Sequence, residues 1–322
     1  MSSDRARILV TRKLPDAVEA RLQRDYDVLL NPDDATLSAE RIIEASQHCD
    51  GILTSAIDRW PGELIRRLPA RVRIMATFSV GFDHIDIAAA REKGITVTNT
   101  PDVLTDATAD IAILLLLAAS RRAFEGQQMV REDAWIGWRP TQLMGIGLAG
   151  KNLGIVGMGR IGAAVARRAS GFGLKLHYHN RSRVAPEMEQ GAIYHETLET
   201  MLPLCHFLSL HCPATPQTRH MINRGTIGML PKDAVLVNTA RGALVDDEAL
   251  IEALQSGRLF AAGLDVFDNE PALHPGYRGL DNCYLLPHLG SATVDARNAM
   301  GFRCLYNLDS FFAGHAAPDA VT

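Results

Sequence analysis

No stretch of this sequence is apolar for long. The longest such run, Ile111–Ala119, falls far short of the roughly 20 residues that span a bilayer. The N-terminus, MSSDRARILV, lacks the apolar core of a secretory signal. Paired cysteines are missing too. Cys49, Cys205, Cys212, Cys283 and Cys304 are scattered without metal-binding spacing, and an odd number argues against a full disulfide framework. Positive charge is not in excess: the formal net charge is −4 over 322 residues, which gives no electrostatic case for nucleic acid. Neither a short-period repeat nor a low-complexity tract is found. What remains is the composition of a reduced cytoplasmic protein of about two domains, with no metal expected.

The stretch Leu153–Gly173, LGIVGMGRIGAAVARRASGFG, stands out. A strand-like run, Leu153–Val156, leads into Gly157, Gly159 and Gly162 in G-x-G-x-x-G spacing, and a helix-forming segment follows. Gly157 would allow a tight turn, Gly159 the approach of a pyrophosphate, and Gly162 close packing of helix on strand. The helix N-terminus offers unpaired N–H groups to the phosphates.

Before this stretch, Arg7–Thr11, Tyr26–Leu30, Gly51–Thr54, Ile74–Thr77 and Ile95–Thr98 read as strands. Helices at Asp16–Asp25, Ser38–Cys49, Leu64–Leu68 and Ile85–Arg91 separate them. Val103–Arg122 reads as a buried helix, and Ala123–Gly150 as irregular. After the glycine loop come strands at Lys175–His179, Phe207–His211, Ala234–Asn238, Ala261–Val266 and Cys283–Leu286, with a helix at Asp246–Ser256. Ser291–Phe312 is mostly helical. Strands alternating with helices imply an α/β fold. The expectation is two Rossmann-like, doubly wound parallel-sheet domains with a cleft between them. One would be discontinuous, residues 1–101 plus 293–322. The other, residues 102–292, would bind a dinucleotide.

Three ionisable groups lie just beyond strand ends, where open parallel sheets bind ligands: Arg241, Glu270 and His288. Singly, each has an ordinary reading as a surface or structural residue. Together they fit one chemistry. A guanidinium grips a carboxylate through two parallel hydrogen bonds. An imidazole exchanges a proton with a carbonyl or alcohol oxygen. A carboxylate beside the imidazole fixes its tautomer. Phe78–Asp83 also follows a strand, so the Val80 and Gly81 N–H groups are candidates to face a carboxylate.

The ordered motifs SVGFDHID (Ser79–Asp86), GMGRIG (Gly157–Gly162), HCPATPQT (His211–Thr218), NTARG (Asn238–Gly242), GLDVFDNEP (Gly263–Pro271) and PHLGSAT (Pro287–Thr293) span nearly the whole chain. In these the sequence resembles the D-isomer-specific 2-hydroxyacid dehydrogenases. VLTDATAD (Val103–Asp110) and WRPTQLMG (Trp138–Gly145) look most like the glyoxylate/hydroxypyruvate reductases within that family. The resemblance implies that Arg241 binds substrate, His288 is the acid/base and Glu270 its partner. It implies a dinucleotide site formed by Thr108, Gly157, Gly159, Arg160, Ile161, Gly162, Asn180, Cys212, Pro213, Thr218, Thr239, Ala240, Arg241, Asp265, His288 and Gly290, with Asp265 at the nicotinamide end. It further implies a homodimer in which Trp138, within WIGWRP, reaches the neighbouring subunit's substrate pocket.

One departure bears on the cofactor. Many NAD-binding members carry an acid just after the second cofactor strand, whereas this chain has His179-Asn180-Arg181-Ser182-Arg183. Arg181 and Ser182, with Arg183 as a second cation, suit a 2′-phosphate and hence NADPH, with NADH as the weaker alternative. The expected reaction is NADPH-dependent reduction of glyoxylate and hydroxypyruvate to glycolate and D-glycerate. The alternatives are a 2-ketogluconate reductase, another D-2-hydroxyacid dehydrogenase, or a dinucleotide-sensing corepressor-like protein. Formate dehydrogenases of the same superfamily typically place Gln where Glu270 stands.

Overall fold

Short runs rich in Val, Ile and Leu, set between capped helices, fold here as parallel strands throughout. The computed structural model describes residues 5–322. The described chain divides into two units: residues up to Leu104 with Ala292–Thr322, and Thr105–Ser291.

The first unit holds β1 (Arg7–Val10), β2 (Asp27–Leu29), β3 (Gly51–Ser55), β4 (Ile74–Phe78) and β5 (Thr96–Thr98), in the order β2-β1-β3-β4-β5. Alternation sorts the strand side chains onto two faces. Leu9, Ile52, Met75 and Val97 pack with Ile42, Ile65 and Ala89, whereas Ile8, Val10, Leu53 and Ile74 pack with Val18, Leu22, Leu305 and Leu308. The expected strand Tyr26–Leu30 is trimmed at its start, because the Tyr26 N–H still caps the preceding helix at the Leu22 carbonyl. Ser38 and Asp86 each accept a backbone N–H at the start of their helices.

The second unit holds β6 (Asn152–Val156), β7 (Lys175–His179), β8 (Ile193–His195), β9 (Phe207–Leu210), β10 (Ala234–Asn238), β11 (Leu259–Leu264) and β12 (Cys283–Leu285), in the order β12-β11-β10-β9-β6-β7-β8. The helix Thr105–Ser120 packs its Ala109, Ala112, Leu115 and Leu116 over one face; Leu250 and Leu254 cover the other. The order reverses between β6 and β9, and the glycine loop leaves β6 at that point.

Two expectations change. The edge strand β8 is absent from the sequence reading, because three residues carry too little alternation to register. Ala123–Gly150 is not irregular throughout: it opens with the helix Ala123–Arg131, which buries no residue in this chain.

Candidate active site

The glycine loop is shaped by backbone crowding. Gly157 has φ +99°, and a Cβ there would lie 2.5 Å from the Cys212 nitrogen. A Cβ on Gly162 would lie 2.1 Å from the Gly157 carbonyl oxygen and 3.2 Å from Ile155 Cγ2. The third glycine therefore lets the helix Arg160–Ser170 close on the loop itself, and only secondarily on the strand. At Gly159 a Cβ would meet nothing within 4 Å. That open space sits at a helix start with no side-chain cap, with Arg160 exposed and Ile161 half-buried in the first turn. Open space at a helix start without a side-chain cap fits a dinucleotide pyrophosphate. Asn180, just past β7, accepts the Met158 N–H at 2.7 Å through its side-chain oxygen and so tethers the loop.

Arg181 and Ser182 are exposed beside Asn180. Arg183, expected as a second cation there, is exposed and engaged with Glu189 by two bonds of 2.7 and 3.1 Å. The Tyr178 hydroxyl also donates to Glu189, at 2.7 Å. The Arg183 guanidinium and this hydroxyl hold the Glu189 carboxyl below its ordinary range. An acid thus does lie near this turn, but Arg183 neutralises it.

Beyond β9, His211 bonds Ser209 Oγ through Nε2 at 2.8 Å and approaches Thr239 Oγ1 at 3.4 Å through Nδ1. Burial pushes its pKa down to about 4. The sequence reading gave His211 no role, although its main chain is what Gly157 must avoid. Cys212 is half-buried, and burial pushes its thiol up to about 11. Thr218 closes the following loop by donating to the Pro213 carbonyl at 2.8 Å. After β10, the Asn238 side chain accepts the Ala240 N–H at 3.0 Å and donates to the Arg241 carbonyl at 2.9 Å, pinning the turn Thr239–Arg241. Arg241 itself is half-buried.

Glu270 and His288 meet beyond β11 and β12, with Glu270 Oε2 2.7 Å from His288 Nδ1. The other oxygen, Oε1, accepts the Phe267 N–H at 2.8 Å. Burial pushes the Glu270 carboxyl up, but the His288 hydrogen bond and charge, the Phe267 N–H and the Arg241 charge outweigh it, leaving the group below its ordinary value. His288 has φ +55°, a backbone that non-glycine residues seldom adopt. Asp265 imposes it: its carbonyl accepts the His288 N–H at 2.9 Å, and its carboxylate accepts the Leu289 and Gly290 N–H groups at 2.6 and 2.8 Å. Burial raises the Asp265 carboxyl, against the pull of those N–H groups and of His288. Thr108 donates to the Gly290 carbonyl at 3.2 Å, so it too fastens this turn.

Val80 and Gly81 lie in the first unit, just past β4. Trp138 is 79% exposed, within a run from 131 to 140 in which every residue is exposed.

Comparison with known proteins gives the family. Residues 113–290 match the family described as D-isomer specific 2-hydroxyacid dehydrogenase, NAD binding domain. A glycerate dehydrogenase of Hyphomicrobium methylovorum is 43% identical over 310 residues, covering 96% of each chain. A glyoxylate reductase of Thermococcus litoralis is 42% identical, covering 98% of this chain and 96% of the other. Among solved structures, a D-isomer-specific 2-hydroxyacid dehydrogenase from Polaromonas is 45% identical with a TM-score of 0.93, covering 98% of this chain and 99% of that one. An NADPH-dependent glyoxylate/hydroxypyruvate reductase from Sinorhizobium meliloti, solved with NADP and malonate, is 35% identical with a TM-score of 0.89, covering 99% of this chain and 97% of that one. With the relatives matched almost end to end and a dinucleotide loop on the same sheet as a carboxylate–imidazole pair, the chain belongs to the D-isomer-specific 2-hydroxyacid dehydrogenases.

Proposed function

We propose that this enzyme reduces small 2-oxo acids, glyoxylate and hydroxypyruvate first, with NADPH preferred over NADH. The observation that carries the chemistry is the 2.7 Å bond between Glu270 and His288 Nδ1. The carboxylate accepts the Nδ1 proton, so Nε2 is the nitrogen left to exchange a proton with substrate. Protonated His288 gives that proton to the C2 oxygen in reduction; neutral His288 takes it back in oxidation. Glu270, held ionised, steadies the imidazolium. Arg241 is assigned to the substrate carboxylate, as are the Val80 and Gly81 N–H groups. The bound nicotinamide supplies the hydride.

The cofactor preference rests on Arg181 and Ser182, both exposed beside Asn180, with the acid Glu189 paired to Arg183. A relative 35% identical holds NADP in its solved structure. The deciding experiment measures kcat/KM for both cofactors against glyoxylate, hydroxypyruvate and 2-ketogluconate. Arg181→Ala should raise KM for NADPH by roughly 10-fold, the scale of one lost charge-assisted contact, and leave KM for NADH nearly unchanged. Equal efficiency with both cofactors in the unaltered enzyme would overturn the preference, and faster turnover of 2-ketogluconate would reassign the substrate.

Trp138 is assigned to the substrate pocket of a second copy of the chain. In support, its indole finds no core of its own and is 79% exposed, beside Trp135 and Ile136, which are also exposed. In a Trp138→Ala variant that stays dimeric, the ratio of efficiencies for glyoxylate and a branched 2-oxo acid should shift toward the branched acid. Unchanged ratios, or a monomeric unaltered enzyme, would refute the assignment.

A further inference from the structure

The turn after β4 carries an arrangement of hydrogen bonds that does not stabilise a helix or a strand. Three successive carbonyl oxygens are each tied down. The Ser79 carbonyl accepts the Thr100 N–H at 2.9 Å. The Val80 carbonyl accepts from Asn99 Nδ2 at 2.7 Å. The Gly81 carbonyl accepts from Ser79 Oγ at 2.7 Å. A peptide unit is planar and trans, so its N–H points opposite to its C=O. Fixing these three carbonyls therefore fixes the N–H groups of Val80, Gly81 and Phe82. Among the described residues, none of those three N–H groups donates to a protein group.

The third tie is itself held from behind. Ser79 Oγ lies 2.9 Å from Thr77 Oγ1, which lies 3.1 Å from His84 Nε2. Thr77, Ser79 and His84 are all buried. The direction of this chain follows from proton counting. Ser79 has one hydroxyl proton and gives it to a carbonyl, which can only accept. Thr77 must then donate to Ser79, and His84 Nε2–H must donate to Thr77. The chain runs one way, from imidazole to hydroxyl to hydroxyl to carbonyl.

We infer that Val80, Gly81 and Phe82 form a three-donor carboxylate cradle, and that Ser79, Thr77 and His84 are the positioning residues that aim its third donor, the Phe82 N–H. This rests on the reading above that the turn receives the substrate carboxylate, and extends it by one donor and by the buried chain behind it. A carboxylate has lone pairs enough for three donors, and preformed donors bind an anion without reorganisation.

The test uses the full-length protein and oxalate, read without turnover. In the unaltered, ¹⁵N-labelled chain, oxalate should shift the amide signals of Val80, Gly81 and Phe82 together. Thr77→Val and Ser79→Ala remove one hydroxyl each. Both should raise the oxalate dissociation constant and KM for the 2-oxo acid by about 10-fold, the scale of one charge-assisted bond, with KM for the dinucleotide within about twofold. Ser79→Thr, which keeps the hydroxyl, should recover most of the loss. Folded variants that bind oxalate as tightly as the unaltered chain would overturn the inference, as would a Phe82 amide that stays still while those of Val80 and Gly81 move. The amide shifts keep the inference open to refutation even if a variant fails to fold. An unaltered chain that binds oxalate in this way but reduces no 2-oxo acid would instead overturn the assigned activity.

Discussion

His288→Ala should lower kcat by roughly 10²–10⁴-fold, the range for a lost general acid, while the variant stays folded by circular dichroism. A variant with near-full activity would remove His288 from the reaction. Arg241→Lys should raise KM for the 2-oxo acid more than loss of charge explains, since an ammonium cannot make two parallel bonds. His211 makes a different prediction, about stability. Its folded pKa is about 4, below the ordinary 6.5. Between those values the unfolded chain binds a proton that the folded chain refuses, so stability falls as pH falls through that window and levels below it. Glu270 acts lower down: its depressed carboxyl contributes stability that is present above about 4.5 and lost on further acidification. Melting temperature against pH should therefore decline in two legs. His211→Gln should make the upper leg shallower and leave the lower one, with His177, His195 and His206, also held low by burial, supplying the rest of the upper leg; an unchanged upper leg would show that His211 does not contribute.

The glycine loop separates shape from binding at the scale of one element. Gly162→Ala puts a methyl against the Gly157 backbone and should destabilise by about 1–3 kcal/mol, as overpacking does. Gly159→Ala enters open space, so melting should hardly change while dinucleotide affinity drops. Equal melting temperatures for the two variants would contradict that division. This loop was legible in sequence because its whole logic lies within one strand, turn and helix. The strands β3 and β10 were legible for the same reason, being local apolar runs. The Glu270–His288 pair was anticipated from its place beyond strand ends and from the family motifs, but its geometry depends on β11 pairing with β12. Side-chain ties to distant backbone were not legible. Asn180 reaches Met158, Asp265 reaches Leu289, and Asn99 reaches Val80, each across about twenty residues that only the folded chain brings together. The partner of Arg183, Glu189, was not legible for a like reason, since it lies beyond a turn with no periodic signal.

On the scale of the whole molecule, the two units differ in how the chain supplies them. Thr105–Ser291 is one uninterrupted stretch, whereas the first unit is closed by residues from the far end of the sequence. The helix Val294–Phe312 covers one face of its sheet with Cys304, Leu305 and Leu308. The residues after that helix bind in turn. Ala320 bridges Thr98, the Val321 N–H bonds the Val97 carbonyl at 2.8 Å, and half-buried Asp319 accepts from Arg303 at 2.5 and 2.7 Å and from Asn307 at 2.8 Å. Deleting residues 316–322 should weaken the first unit by roughly 1–3 kcal/mol, the scale of leaving hydrogen-bonded groups without their partners, since Arg303, Asn307 and the edge of β5 all lose theirs. Hydrogen exchange would report it as faster exchange in β1, β3, β4 and β5 with β6–β12 unaffected; a uniform rise across both sheets would count against it. The same wiring orders events at the ribosome. Synthesis proceeds at about 5–20 residues per second, and the second unit has all its strands once Leu285 is made, while the first still waits for Val321. A newborn chain thus passes through an interval in which the second sheet has every strand and the first has an apolar face still bare, and that interval is when a chaperone has something to hold.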